Sequence, residues 1–123
     1  MRLTDNELLE LKETFKDVIN YESDDPCEPI DPLTYVAPDE DNCLHIAAWR
    51  GNVRAIQLLI KAGVNVNKTG DMGETPLHIA IRNGNDQIVK ALLIAGAKTD
   101  IISEFGDSAK KLAEASDINL DIE

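Results

Sequence analysis

The chain has 123 residues, of which 43% are hydrophobic, and a formal net charge of −11 at pH 7. This length fits one domain with a modest core, and no apolar run approaches the roughly 20 residues needed to span a membrane. The first residues, MRLTDNELLELKETF, lack the basic and uninterrupted apolar stretches of a signal peptide, so we expect a cytoplasmic protein.

The negative charge is concentrated in the first third of the chain. Residues 1–41 contain 13 acidic and 3 basic residues, a net charge of −10, whereas residues 42–123 contain 10 and 9, a net charge of −1. This distribution argues against binding nucleic acid, which needs Lys and Arg to neutralise phosphates. It is compatible with a basic protein partner, and equally with an acidic surface that only maintains solubility.

The first predicted element is an amphipathic helix. Thr4 and Glu7 form a capping-box pattern that predicts its start. Apolar residues at helical spacing then continue to residue 20, namely Leu8, Leu11, Phe15, Val18 and Ile19. The outer face of this helix is predicted to be strongly acidic. Two roles are open: a cap packed on the units that follow, or an arm that contacts a partner.

A proline-rich segment follows the helix and leads to residue 41. Its prolines, at 26, 29, 32 and 38, are too frequent for a helix. It also contains four bulky apolar residues, Ile30, Leu33, Tyr35 and Val36. We therefore expect an ordered, irregular segment that lies on the next unit.

The two cysteines, Cys27 and Cys43, do not form a disulfide framework. In a cytoplasmic protein both are expected to be reduced thiols. A disulfide, or a metal site that combines them with His45, remains an alternative, although no C-x-x-C spacing supports it.

The remaining chain repeats itself at an offset of 33 residues. Nine residues of 42–67 recur unchanged in 75–100: Leu44, His45, Ile46, Ala47, Gly51, Asn52, Leu59, Ala62 and Gly63. A truncated third copy begins near Phe105-Gly106-Asp107-Ser108. Such a period indicates stacked supersecondary units, which we delimit as 39–67, 68–100 and 101–123 after an N-terminal segment, 1–38.

The sequence of each unit predicts two helices. In the second unit, Thr75 is a natural N-cap and Pro76 suits the first helical turn, while Asn83-Gly84 ends this helix. Asn85 or Asp86 then caps a second helix, which stops at Gly96. The first unit uses Asn42, Gly51 and Gly63 in the corresponding places. A hairpin-like connection, AKTDIISEFGDS, leads to the third.

The segment GETPLHIAIRNGNDQIVKALLIAGAKTD resembles an ankyrin repeat almost throughout. DNCLHIAAWRGNVRAIQLLIKAGVNVN is similar, with two departures that suggest an atypical entry turn: Glu40 replaces a glycine, and Asn42-Cys43 replaces Thr-Pro. GDSAKKLAEAS resembles the start of a capping repeat. The resemblance covers about residues 37–116. It implies an all-α ankyrin-repeat solenoid with an N-terminal capping helix, in which His45 and His78 hydrogen-bond the turn and the neighbouring repeat.

The resemblance also implies a partner-binding face made by the turn tips and the first helix of each repeat. The corresponding tip residues are Asp39, Asp41, Asp71, Met72, Glu74, Glu104, Phe105 and Asp107; the helix residues are Trp49, Arg50, Arg82 and Asn83. Apolar Trp49, Met72 and Phe105 stand among six carboxylates, a pattern typical of interfaces. Alternatively, Trp49 packs under the N-terminal segment, and the acids reflect only the frequency of Asp in turns.

The sequence contains none of the familiar catalytic motifs, such as a phosphate-binding Gly loop, G-x-S-x-G or H-E-x-x-H. We expect a binding protein without a cofactor. The metal content of the purified protein would test the alternative that the cysteines hold zinc.

Small free-standing bacterial ankyrin proteins with a lead-in like DPLTYVAPD resemble immunity proteins that accompany secreted toxins. This resemblance implies a monomer that covers the basic cleft of a partner, for example a nuclease-type toxin. A general adaptor for another protein is the alternative.

Overall fold

The computed structural model describes residues 3–25, 27–118 and 120. Within them the chain forms six α-helices: α1 (Asp5–Thr14), α2 (Cys43–Arg50), α3 (Val53–Lys61), α4 (Pro76–Arg82), α5 (Asp86–Ile94) and α6 (Ala109–Ala115). Extended pairing in this part of the chain is limited to two isolated bridges, Val36 with Asn42 and Ile102 with Ser108. The predicted all-α repeat architecture is therefore confirmed. None of the described helices has the length and apolarity required to cross a bilayer.

The helices stack in two rows. In the first row α4 packs between α2 and α6, and in the second row α3 packs between α1 and α5. The rows are joined within each repeat by contacts of α2 with α3 and of α4 with α5. The N-terminal helix α1 therefore extends the second row by one member and covers the first repeat from outside.

Side-chain caps determine where the helices begin. Asn42 and Thr75 accept hydrogen bonds from the first turns of α2 and α4, as predicted. Asn85, rather than Asp86, caps α5 by accepting from the Ile88 amide. Ser108 caps α6 in the same way. Since the caps recur with the 33-residue period, the helices of successive repeats start in register.

The core is centred on α4, in which every residue from Pro76 to Ile81 is buried. This helix is apolar on all sides because neighbours cover it on three flanks, α2, α5 and α6. The helices at the ends of the rows have fewer neighbours. In α1 only Leu11 is fully buried, and Phe15 joins it directly after the helix.

The structure corrects the predicted extent of α1, which ends at Thr14 and not at residue 20. The Arg50 guanidinium donates to the Thr14 carbonyl (3.2 Å), so this group is satisfied outside the helix. The Tyr35 hydroxyl donates to the Ile19 carbonyl (2.8 Å) and holds the following turn. Ile19 is consequently half exposed instead of packed in the core. Val18 and Ile19 also have only modest helix propensity.

Only some of the acidic side chains of α1 point away from the repeats as predicted, because two of them contact α3. Glu7 pairs with Lys61 (2.9 Å) and Glu10 pairs with Arg54 (2.9 Å), both on α3. These carboxylates therefore hold the capping helix on the first repeat. The proline-rich segment also lies against this repeat, since Ile30 and Tyr35 are buried.

The expectation of an atypical first entry turn is wrong. The bridge from Val36 to Asn42 has the same position in its repeat as the bridge from Ile102 to Ser108. Glu40 adopts a φ of 77°, in the left-handed region that Gly106 occupies at 81° in the third turn. The Asn42 side chain replaces the usual threonine as the cap. The turn thus keeps its geometry and accepts the strain of a non-glycine residue.

Candidate partner-binding face

Each turn is fastened to its repeat by a buried histidine. The Asn42 amide donates to His45 Nδ1 (3.1 Å), and His45 Nε2 lies 2.9 Å from the Glu74 carbonyl of the next repeat. The second histidine repeats this pattern: the Thr75 amide donates to His78 Nδ1 (3.1 Å), and Nε2 lies 3.0 Å from the Asp107 carbonyl.

One ring nitrogen of each histidine must accept a hydrogen bond while the other donates, which requires the neutral form protonated at Nε2. Burial lowers the pKa of His45 below its usual value of 6.5, although the bond to the Glu74 carbonyl and the nearby Asp41 carboxylate act in the opposite direction. The predicted structural role of both histidines is confirmed by these contacts.

Hydrogen bonds also join neighbouring tips directly. The Asp71 amide donates to Asp41 Oδ1 (2.8 Å), and the Glu104 amide donates to the Met72 carbonyl (2.8 Å). A Cβ at Gly70 would lie 2.0 Å from Asp41 Oδ1 and 2.9 Å from His45 Nε2, so this close approach requires glycine. The three tips are therefore held at fixed spacing, which reduces the entropy lost when a ligand binds.

Large apolar side chains are exposed at the predicted positions. Trp49, Met72 and Phe105 retain 54%, 47% and 58% of their accessible surface. Trp49 is thus not packed beneath the N-terminal segment, which was the alternative. Ile102, which pairs with Ser108 at the third tip, is also 67% exposed and was not among the predicted residues. The signal available for it was a bulky apolar residue in a turn where the preceding repeat has Thr69.

The six predicted tip carboxylates fall into two groups. Asp39, Asp71 and Glu104 are exposed and form no ion pair with any residue that the structure describes. The other three are engaged within the protein. Asp41 accepts from the Asp71 amide, and its burial raises its pKa, opposed by that hydrogen bond and by His45. Asp107 pairs with Lys111 (3.2 Å).

The prediction of Glu74 as an outward tip residue is wrong. Glu74 is 6% exposed, and its Oε2 lies 2.7 Å from Arg82 Nη2. It is drawn inward because its carbonyl accepts from His45, which fixes the backbone against the preceding repeat. Reversing its charge would place an ammonium beside Arg82 in a buried site, so this residue tests folding instead of partner binding.

Two of the three predicted polar helix residues also serve the fold. Arg50 donates to both carboxylate oxygens of Asp17 (3.1 and 3.0 Å) and is thereby tied to the N-terminal segment. Asn83 donates to the Ala48 carbonyl (3.2 Å) and joins α4 to α2. Arg82 is the third, and it lies over the ring of Phe105, with Cζ 5.3 Å from the ring centre.

The cysteines are in unlike surroundings. Cys27 is exposed, whereas Cys43 is buried at the start of α2, where burial raises the pKa of its thiol to about 12. Within the described residues, no three His, Cys, Asp or Glu side chains are grouped as metal ligands would be. Both ring nitrogens of His45 are already engaged, so it has no free nitrogen for a metal.

Comparison with known proteins agrees with this architecture. The family model for ankyrin repeats (3 copies) matches residues 10–103. Among curated proteins, no significant sequence match was found. The matched region contains α2 to α5, both buried histidines and the exposed residues Trp49, Met72 and Ile102, while Phe105 lies just beyond it. The chain therefore belongs to the ankyrin-repeat family, whose members serve in general as non-catalytic scaffolds for protein–protein interaction.

Proposed function

We propose that this protein binds and neutralises a basic protein partner, such as a nuclease-type toxin domain, as an immunity protein does. The observation that carries the proposal is the exposure of Trp49, Met72 and Phe105 together with that of the tip carboxylates Asp39, Asp71 and Glu104. Aromatic and other apolar anchors supply most of the affinity of a protein interface. Carboxylates around them steer a positively charged partner and select against acidic ones.

The proposed partner would be covered by the tips and by the first-row helices of a monomer. Asp39, Asp71 and Glu104, one in each tip, would meet basic groups around the partner's cleft. The tip-to-tip hydrogen bonds support this, because they hold the three carboxylates at fixed spacing. Binding would occlude the cleft and leave the partner inactive without any chemical step.

The test is capture of partners from the source cell lysate with the tagged protein, followed by identification of the bound proteins. The proposal expects one basic protein, bound near equal stoichiometry, whose expression alone is toxic. Asp71→Lys should release it at lower salt, and Trp49→Ala should weaken capture by about tenfold or more. Neither change should alter the thermal unfolding midpoint by more than about 2 °C, because both side chains are exposed.

Asp24→Lys is the matched control, since it alters the net charge equally but lies in the N-terminal segment instead of a tip. Equal weakening by Asp24→Lys and Asp71→Lys would contradict the proposal, because binding would then depend on overall charge. Several neutral partners, or a captured protein that is harmless when expressed alone, would favour the adaptor function.

A further inference from the structure

The protein contains two similar clusters, each made of an arginine, a phenylalanine and a carboxylate. The first comprises Arg50, Phe15 and Asp17, with Arg50 Cζ 5.7 Å from the ring centre. The second comprises Arg82, Phe105 and Glu74, with the corresponding distance 5.3 Å. Both arginines are held at the end of a first-row helix, α2 or α4. The clusters differ in how the hydrogen-bond donors of the arginine are used.

In the first cluster the arginine donates hydrogen bonds to the N-terminal segment. Arg50 donates to both oxygens of Asp17, at 3.1 and 3.0 Å, and to the Thr14 carbonyl at 3.2 Å. Both bonds to Asp17 come from Nη2, and Nη1 makes the bond to Thr14. The N-terminal segment thus supplies an acidic side chain that occupies the arginine.

In the second cluster, Glu74 balances the charge of the arginine, but the arginine donates no hydrogen bond to the described residues. Arg82 Nη2 lies 2.7 Å from Glu74 Oε2, but the N–H groups do not point at this oxygen, which has no hydrogen-bond partner among the described residues. Arg82 donates no hydrogen bond to any other part of the chain that the structure describes, whereas Arg54 donates two to Glu10. About a third of the Arg82 side chain is exposed.

The surroundings of Arg82 hold it ready for a ligand. The ring of Phe105 lies against one face of the guanidinium. The Glu74 carboxylate, 2.7 Å from Nη2, restricts the position of the guanidinium further. The Glu104–Met72 hydrogen bond keeps Phe105 and Met72 on adjacent tips. An arginine whose position is already restricted loses less entropy on binding than a free one, and exposed apolar surface beside it can pack against a neighbouring side chain of the ligand.

We propose that Arg82 binds a carboxylate of the protein partner, next to an apolar side chain that packs on Phe105 and Met72. This rests on the proposed function in that the same face is used, and it refines the chemistry of the partner. A partner that complements this face carries basic groups opposite Asp39, Asp71 and Glu104, and one acidic group opposite Arg82. Such alternation of charge fixes the register of an interface and rejects generic polycations.

The probe for the test is a peptide with the sequence of residues 17–19, Asp-Val-Ile, acetylated and amidated at its ends. It reproduces the carboxylate that occupies Arg50, followed by apolar residues. The control peptide has Asn in place of Asp. Each is titrated into isotope-labelled protein while the side-chain NMR signals of Arg82, Phe105 and Met72 are followed.

The Asp peptide should shift these signals saturably, with a Kd in the millimolar range. The Asn peptide should bind about fivefold more weakly, as expected for loss of one exposed charge pair. Arg82→Gln should remove the difference between the peptides, while Arg54→Gln, on the second row of helices, should preserve it. Arg82→Lys provides a variant that keeps the charge beside buried Glu74 and removes the two-pronged donor.

Equal binding of the two peptides, shifts confined to Arg50, or no shift at Arg82 up to the solubility limit would each overturn the proposal. So would a preference for the Asp peptide that persisted in both folded Arg82 variants. The titration uses no cellular partner. A failed search for a basic partner would therefore refute the proposed function and leave the Arg82 result to be decided by itself.

Discussion

The close approach at Gly70 gives the most direct test of how the tips are locked together. In Gly70→Ala the added methyl group would lie 2.0 Å from Asp41 Oδ1, well inside contact distance, and 2.9 Å from His45 Nε2. The backbone φ of −118° lies outside the left-handed region, although the ψ of −139° is also outside the broad β region that alanine prefers. The Asp41 carboxylate has to move, and it then loses its hydrogen bond from the Asp71 amide.

The expected cost follows from that lost bond. A hydrogen bond to a charged acceptor contributes about 1.5–3 kcal/mol. We therefore expect Gly70→Ala to lower the free energy of unfolding by about 1.5–3 kcal/mol. For a domain of this size that corresponds to a fall of roughly 6–12 °C in the unfolding midpoint, measurable by circular dichroism.

A double-mutant cycle identifies the cause. In an Asp41→Ala background the clashing oxygen and its hydrogen bond are absent, so Gly70→Ala should cost less than about 1 kcal/mol. Gly84→Ala serves as the control, because a Cβ there meets nothing within 4 Å and only the positive φ of 68° is strained. An equal cost of Gly70→Ala in both backgrounds would refute the role assigned to Asp41.

Two further predictions concern stability. Because burial lowers the pKa of His45, the unfolded chain binds a proton at this residue more readily than the folded chain does. The free energy of unfolding, measured with urea, should therefore be highest above about pH 6.5 and fall as the pH drops below it. The fall should be smaller in His45→Gln, and a rise toward acid pH would contradict the prediction. Leu11→Ala should lower the free energy of unfolding by about 2–4 kcal/mol and increase amide exchange in α1. Arg54→Gln removes only an exposed ion pair and should have a much smaller effect. Equal effects of the two changes would show that charge pairing, and not burial, holds the capping helix.

The repeated helices could be predicted from the sequence because their signals are local. Asn42 and Thr75 each cap a helix within three residues of themselves, and glycines close each helical unit. The end of α1 could not be predicted in this way. It depends on Arg50, which is 36 residues from Thr14 in the chain and competes for the carbonyl that would have continued the helix.

The exposed positions of the proposed binding face were predictable, but their contacts within the fold were not. The 33-residue period places Met72 and Phe105 on successive tips, and both are exposed there. The period also separates the carboxylates: Asp41, Glu74 and Asp107 stand 33 residues apart, each directly before a helix cap, and these are the three that the fold engages. The tip sequence does not show which group each of them contacts, since Arg82, beside Glu74, lies at the end of the following helix.

These contacts change what the net charge of −11 means for a partner. Glu7, Glu10 and Asp17 in the N-terminal segment are paired with cations of the first repeat, so their charges hold the cap in place. The same internal pairing removes Glu74 and Asp107 from the tips. Of the predicted tip carboxylates, the three that stay exposed are therefore Asp39, Asp71 and Glu104. In the binding mode proposed above, a uniformly acidic surface would attract any polycation, whereas separated carboxylates together with Arg82 favour a partner whose charges are placed to match, which is the property needed to recognise one protein among many.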